Sequence, residues 1–187
     1  MSLETIPCIS IQQPYASAVF WDGKWCENRS WFTAHRGELW IHASKVDQPS
    51  IDAAKKVGFD LEKNWPDKLH TQAIIGRVQM LRCVPGDHLL AAASEEACKI
   101  LEINPDNRPP INPENSLNVE FLQAALADVY PVTWSHFLFA KYAWIFGTPE
   151  YLDAPIFMPG KQGVWKVEVD PDLLVLANIG DDEETSG

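Results

Sequence analysis

Lys24, Glu27 and Arg29 stand close together in the stretch GKWCENRSW, residues 23–31, which also holds Trp25 and Trp31. These residue types can do chemistry as a group. A carboxylate beside a guanidinium fixes its orientation, and the planar fork can then offer donors to a phosphate or a base edge. A lysine ammonium adds a point charge for phosphate. If it is desolvated its pKa falls, and the free amine can act as nucleophile or base. Glu27 can orient a water or accept a base N–H. The plain alternative is a cross-strand ion pair at the mouth of a barrel, the commoner fate of such triplets.

Which of these holds depends on the elements that carry the residues. Trp25–Trp31 has the composition of a strand, and alternation then puts Glu27 and Arg29 on one face. Lys24 sits where that strand begins, so alternation does not fix its direction. The next strand, Glu38–Ser44, turns Leu39, Ile41 and Ala43 one way and Trp40, His42 and Ser44 the other. His42 and Ser44 are therefore candidates to line a cleft, or to be satisfied structural groups. Gln13, before Pro14, either caps the first helix or reads a base. Trp31 either fills core, lines the rim or stacks on a base. His35 and Arg36 lie in a turn beside the group and add local positive charge, and Lys161 and Gln162 either reach a ligand or stay in a solvated loop.

Around these residues the chain reads as short strands with helices between them. Cys8–Gln12 is an apolar strand, and Pro14 opens a helix that Gly23 can end in the left-handed conformation. A second helix falls within 44–58, with Asp47 or Ser50 as its cap and Gly58 as its end. Ala73–Val84 is a long strand in which Gly76 marks a bulge or bend. Tyr142–Phe146 and Val164–Val169 are further strands, and 85–140 is a mostly helical insertion. The expectation is an α+β fold, a small β-barrel of about five or six strands with helices at its rim. One domain would span 1–180, and 181–187 would form an acidic disordered tail.

The 187 residues carry a formal net charge of −11, with four acids in the closing DDEETSG. Coating long duplex DNA by charge alone relies on phosphate neutralisation, so this balance argues against it while allowing a small local basic site. Hydrophobic residues make up 46% and the chain contains eight tryptophans, enough for a packed core with aromatic surface to spare. The four cysteines, at 8, 26, 83 and 98, and the five histidines follow no metal-ligand spacing, so no metal or cofactor is expected. Free buried thiols, the lack of a signal-like N-terminus and the lack of a membrane-length apolar run lead to the expectation of a cytoplasmic protein away from membranes.

The segment ISIQQPYASAVFWDGKWCENRSWFTAHRGELWIHAS, 9–44, resembles the start of ASCH (activating signal cointegrator homology) domains, through QPYA, GKWCENRSW and RGELWIHAS. The family pattern is a glycine followed by K-x-x-E-x-R, here Gly23, Lys24, Glu27 and Arg29; the usual residue between glycine and lysine is missing. A second block, 142–169 with GKQGVW, resembles the family's closing strands, and 85–140 is left uncovered. The resemblance implies a PUA-like barrel with a cleft beside the K-x-x-E-x-R strand that takes RNA, a nucleotide or a modified nucleoside. It also admits a hydrolase, by amide deacylation of a modified nucleoside or by RNA cleavage. Lys24 and Glu27 would then be the reacting pair and Arg29 would stabilise developing negative charge. Small hydrolase relatives carry a threonine three residues after the lysine, where this chain has Glu27, and that favours binding over turnover. A third reading is a protein-interaction adaptor using the insertion and tail.

Overall fold

The computed structural model describes residues 2–56, 69–86 and 141–177. In chain order these hold β1 (Glu4–Gln13), α1 (Tyr15–Trp21), β2 (Cys26–Arg29), β3 (Gly37–Val46), α2 (Gln48–Lys56), β4 (Ala73–Pro85), β5 (Tyr142–Phe146), β6 (Glu150–Phe157) and β7 (Val164–Val169), then a 3-10 turn at Pro171–Leu173. All seven strands join one sheet in the order β2-β5-β4-β3-β1-β7, with β6 paired to β4 beside that path. β1 and β3 run parallel and every other pair is antiparallel. A parallel pair needs a crossover, and the chain from α1 through β2 supplies it. That crossover carries the K-x-x-E-x-R segment to the far end of the sheet.

Local rules explain the element ends. Gly23 has φ 63°, the left-handed stop expected after α1, and the Lys24 N–H reaches back to the Ala18 carbonyl. Asp47 caps α2: its Oδ1 accepts the Ser50 N–H at 2.8 Å, and its Oδ2 accepts from Gln12 at 2.6 Å. Those bonds, the one from the Ser50 backbone first, hold the Asp47 carboxyl below the usual carboxylate range. The Gly58 end of the expected helix lies outside the described residues. So do the 85–140 insertion, beyond Gly86, and the 181–187 tail.

Two apolar layers cover the sheet. Ile9, Ile11, Leu39, Ile41, Val78, Met80 and Trp144 pack with Ala16 and Val19 of α1 on one side. Ile6, Cys8, Trp40, Ile74, Leu152, Trp165 and Val169 form the other. Period-two alternation along β1 and β3 deals neighbouring residues to opposite layers.

Two expectations need correction. There are seven strands among the described residues, not five or six, because β6 was missed. Its sequence EYLDAPIF interrupts the apolar run with Asp153 and Pro155, and proline demotes a strand in any pattern-based assessment. In the sheet, Pro155 falls where the β4–β6 register slips, between the Tyr151–Gly76 and Ile156–Ile74 pairs, so its missing N–H is tolerated. The barrel is the second correction: among the described residues the pairings form an open sheet, and its end strands β2 and β7 are not paired. One edge of the 13-residue β4 is divided between β6 and β5, which splits the sheet into two arms.

The expected irregularity near Gly76 is present. Ile41 pairs with Gly76 and His42 with Ile74, leaving Ile75 as the extra residue of a bulge. Among the described residues no helix is long and apolar enough to cross a membrane.

Candidate functional site

β2 is four residues long and depends on β5 for its place. Cys26 pairs with Ile145, Glu27 with Trp144, Asn28 with Ala143, and Arg29 with Tyr142. Directly opposed residues share a face, so Glu27 and Arg29 join Trp144 and Tyr142. Trp144 is fully buried and forms the floor. The Arg29 Cζ lies 6.0 Å from its ring centroid, and Trp31 meets it edge-on at 4.6 Å and 86°. The Trp144 Nε1 donates to the Trp31 carbonyl at 3.4 Å. Trp31 thus walls the group and is half-buried.

Glu27 bridges the two cations. Its Oε2 lies 2.6 Å from Lys24 Nζ and its Oε1 3.2 Å from Arg29 Nη2. Lys24 also donates to the Cys26 carbonyl, and Arg29 Nη2 donates to the Ser10 carbonyl at 2.7 Å. Exposure rises along the series: the Lys24 side chain is 5% exposed, Glu27 13% and Arg29 23%. Lys24 therefore turns inward and props the carboxylate, while Arg29 stands at the open edge. The Arg29 Nε is buried and has no partner among the described residues. Tyr15 packs on the same layer; burial raises its phenol, and the negative charges of Glu27 and Asp47 add to the rise.

Cys26 begins β2 beneath this group. Burial pushes its thiol up to about 12; the Lys24 charge opposes the shift and the Glu27 charge adds to it. The thiolate is the reactive form, so Cys26 should resist iodoacetamide at pH 8 in the folded protein and be alkylated only after unfolding. Peptide mass spectrometry of the two samples checks this, and rapid native alkylation would show that β2 opens readily.

The other candidates are placed differently. Gln13 is fully buried. Its Nε2 donates to Ser17 Oγ at 2.8 Å and to the His70 carbonyl at 2.7 Å, and its Oε1 accepts the Ser17 N–H at 3.1 Å. It ties down the start of α1, the capping alternative, and offers no face to a ligand. His42 is also buried. Its Nε2 lies 3.0 Å from the Met158 carbonyl, which can only accept, so Nε2 carries the proton. Gly160 closes over its other side, where a Cβ would come within 2.6 Å of His42 Nδ1 and of Ser10 Oγ. Ser44 is half-buried, and Lys161 and Gln162 are exposed. The Lys161 carbonyl accepts from Ser10 Oγ at 2.9 Å, and its ammonium lies 5.8 Å from the Trp165 ring centroid.

The fold thus brings Lys24, Glu27, Arg29 and Trp31 together and sends Gln13 and His42 into the packed interior. Ser10 links the two sequence blocks: its carbonyl takes Arg29 and its hydroxyl holds the 160–162 loop. It escaped the sequence reading, as did Tyr142, because backbone acceptors and cross-strand neighbours leave no mark in composition. Among the described residues no cluster of His, Cys, Asp or Glu could hold a metal ion.

Comparison with known proteins bears on this group. The ASCH domain model matches residues 9–142, running through 85–140 and stopping where the second block begins. The chain is 33% identical over 85 residues to Activating signal cointegrator 1 of Homo sapiens. It is 30% identical over 82 residues to the Mus musculus protein of that name. Each match takes in 41% of this chain but 14% of the cointegrator, so the chain spans a small part of the relatives it matches. With Gly23 and Lys24 leading into β2, Glu27 and Arg29 upon it, and the family match covering most of its length, the chain belongs to the ASCH domain family.

Proposed function

We propose that this protein binds RNA, a nucleotide or a modified nucleoside at the open edge of β2, with Arg29 as the contacting cation. One observation carries the reading. Arg29 is anchored through Nη2, by Glu27 and the Ser10 carbonyl, and its Nε is buried, so Nη1 is the donor group left for a ligand, without a partner among the described residues. A guanidinium held in this way is oriented in advance, and its Nη1 hydrogens suit a phosphate oxygen or a base acceptor. Glu27 positions it and Lys24 supports Glu27. The ASCH family is associated with RNA binding, and a net charge of −11 favours a short ligand over a long duplex.

The geometry favours holding over turnover. A reacting Lys24 would have to present a free amine to substrate, yet its side chain is 5% exposed and its ammonium rests on Glu27 and the Cys26 carbonyl. A thermal-shift screen against nucleosides, nucleotides and short RNAs tests the proposal. At least one member should raise the melting temperature of the wild type. Arg29→Ala should bind that ligand at least tenfold more weakly, in keeping with about 1.5–3 kcal/mol for hydrogen bonds to a charged group. If no member of the panel stabilises the protein, the proposal is wrong.

A further inference from the structure

Past Arg29, the same face of β2 and β5 opens onto aromatic rings that the Lys24–Glu27–Arg29 group does not use. Tyr142, half-buried, stands opposite Arg29 in the ladder. Phe32 meets its ring at 6.0 Å between centroids and 68° between planes. Lys141 Nζ lies 6.0 Å from the Tyr142 centroid. Phe32 itself is 54% exposed. Its neighbour Trp31 turns inward onto Trp144, and Phe32 stays at the surface although each Å² of apolar surface left in water forgoes about 25 cal/mol.

The surroundings of Phe32 indicate what would cover it. Lys141 and Arg36 are exposed, and Arg29 is partly so. The Arg36 guanidinium donates to the carbonyls of Thr33 and His35, which holds it beside this loop. In a chain of net charge −11, an exposed ring among cations is a local exception. An aromatic platform beside cations suits a single strand of nucleic acid: the bases stack on the rings and the cations track the phosphates. A purely apolar partner would gain nothing from the cations, and a lone phosphate would gain nothing from Phe32.

We propose that Phe32, backed by Tyr142, is a stacking platform for an unpaired base of a single-stranded nucleic acid, with Lys141 and Arg29 meeting the flanking phosphates. This rests on the reading of Arg29 as a contact residue and extends it: the ligand is a strand, longer than one nucleotide and unpaired. A duplex keeps its base faces in its own stack, so it cannot use the platform.

Fluorescence anisotropy with an unstructured eight-nucleotide RNA, the DNA of the same sequence, and the matching RNA duplex tests this. The single-stranded RNA should bind the wild type and the duplex should bind at least tenfold more weakly. Binding of the DNA strand as well would assign the platform to single strands of either sugar. Binding of the RNA alone would assign it to RNA; both outcomes support the platform. Phe32→Ala should weaken strand binding roughly tenfold. Phe32→Trp should restore it, and Phe32→Leu, apolar but without a ring, should not. Because Phe32 is mostly exposed, these variants should melt with the wild type. Wild-type affinity in Phe32→Ala and Phe32→Leu would overturn the platform, as would equal affinity for duplex and strand or no strand binding at all. Loss of mononucleotide binding in Arg29→Ala alongside normal strand binding in Phe32→Ala would overturn the platform alone. The reverse pattern would leave the platform standing and overturn the Arg29 site.

Discussion

Glu27→Ala is expected to destabilise the fold by about 3–5 kcal/mol, the scale on which a buried ion pair fails when one partner is removed. Glu27 reaches Lys24 at 2.6 Å and Arg29 at 3.2 Å, and the Lys24 side chain is 5% exposed. Removing the carboxylate leaves a buried ammonium without this counter-charge, and alanine cannot supply an acceptor in its place. Glu27→Gln keeps an acceptor and the side-chain volume, so it should lose less. The discriminating measurement is a double-mutant cycle by urea denaturation. Lys24→Met removes the buried charge, so Lys24→Met with Glu27→Ala should be less damaging than Glu27→Ala alone. If Glu27→Ala costs under about 1 kcal/mol, the group is a screened surface pair and the account of Lys24 as an inward prop is wrong. The same carboxylate orients Arg29. Glu27→Gln should therefore also weaken ligand binding at temperatures where it remains folded.

The second large effect is expected at Gly76. Its φ is not in the positive range, unlike Gly23, Gly37 and Gly163, so backbone freedom is not the reason for a glycine there. Space is the reason. A Cβ would sit 2.5 Å from the Glu150 carbonyl oxygen, 2.5 Å from Phe20 Cε1 and 2.7 Å from Phe20 Cζ. The Phe20 ring can turn aside, but the β6 backbone cannot move without disturbing its neighbours. Arg77, the next residue, donates to Glu150 at 2.9 Å and to Glu38 at 2.7 Å, and Glu38 also accepts from Trp40 Nε1 at 2.8 Å. Hydrogen bonding to Glu150 is the main cause that raises the Arg77 pKa. Gly76→Ala should therefore cost about 3 kcal/mol, the upper part of the usual range for overpacking. It should lower the urea midpoint with an unchanged slope. Trimming Phe20 to alanine in the same chain should recover only part of the loss, because the clash with the Glu150 carbonyl remains. Full recovery would place the whole conflict on the ring.

Both effects show where sequence reasoning works and where it stops. The left-handed Gly23, the Asp47 cap, the opposite faces of Leu39 and Trp40, and the shared face of Glu27 and Arg29 all follow from rules that act over a few residues. Backbone conformation and period-two alternation are enough to state them. β6 was lost because Asp153 and Pro155 break its pattern locally, while β4 holds it from outside. The barrel was expected from short strands with helices between them and from the family resemblance, but whether a sheet closes depends on which edges meet. The division of the β4 edge between β5 and β6 is a matter of pairing between segments far apart in the chain, such as Met80 with Phe146 and Ala73 with Phe157.

The candidate site divides in the same way. The sequence by itself determined that Lys24, Glu27 and Arg29 lie together and that two of them share a face, because spacing along one strand settles that much. Only the tertiary structure decided how each of them is placed. Lys24 is buried, Glu27 is shared and Arg29 is left at the edge because β5 brings Trp144 and Tyr142 against β2 from a distant part of the chain. The Ser10 carbonyl arrives from β1. Gln13 and His42, equally polar in the sequence, were closed off by His70, Met158 and Gly160. Exposure belongs to the surroundings of a side chain, and those surroundings are assembled by contacts between segments that the local pattern does not encode.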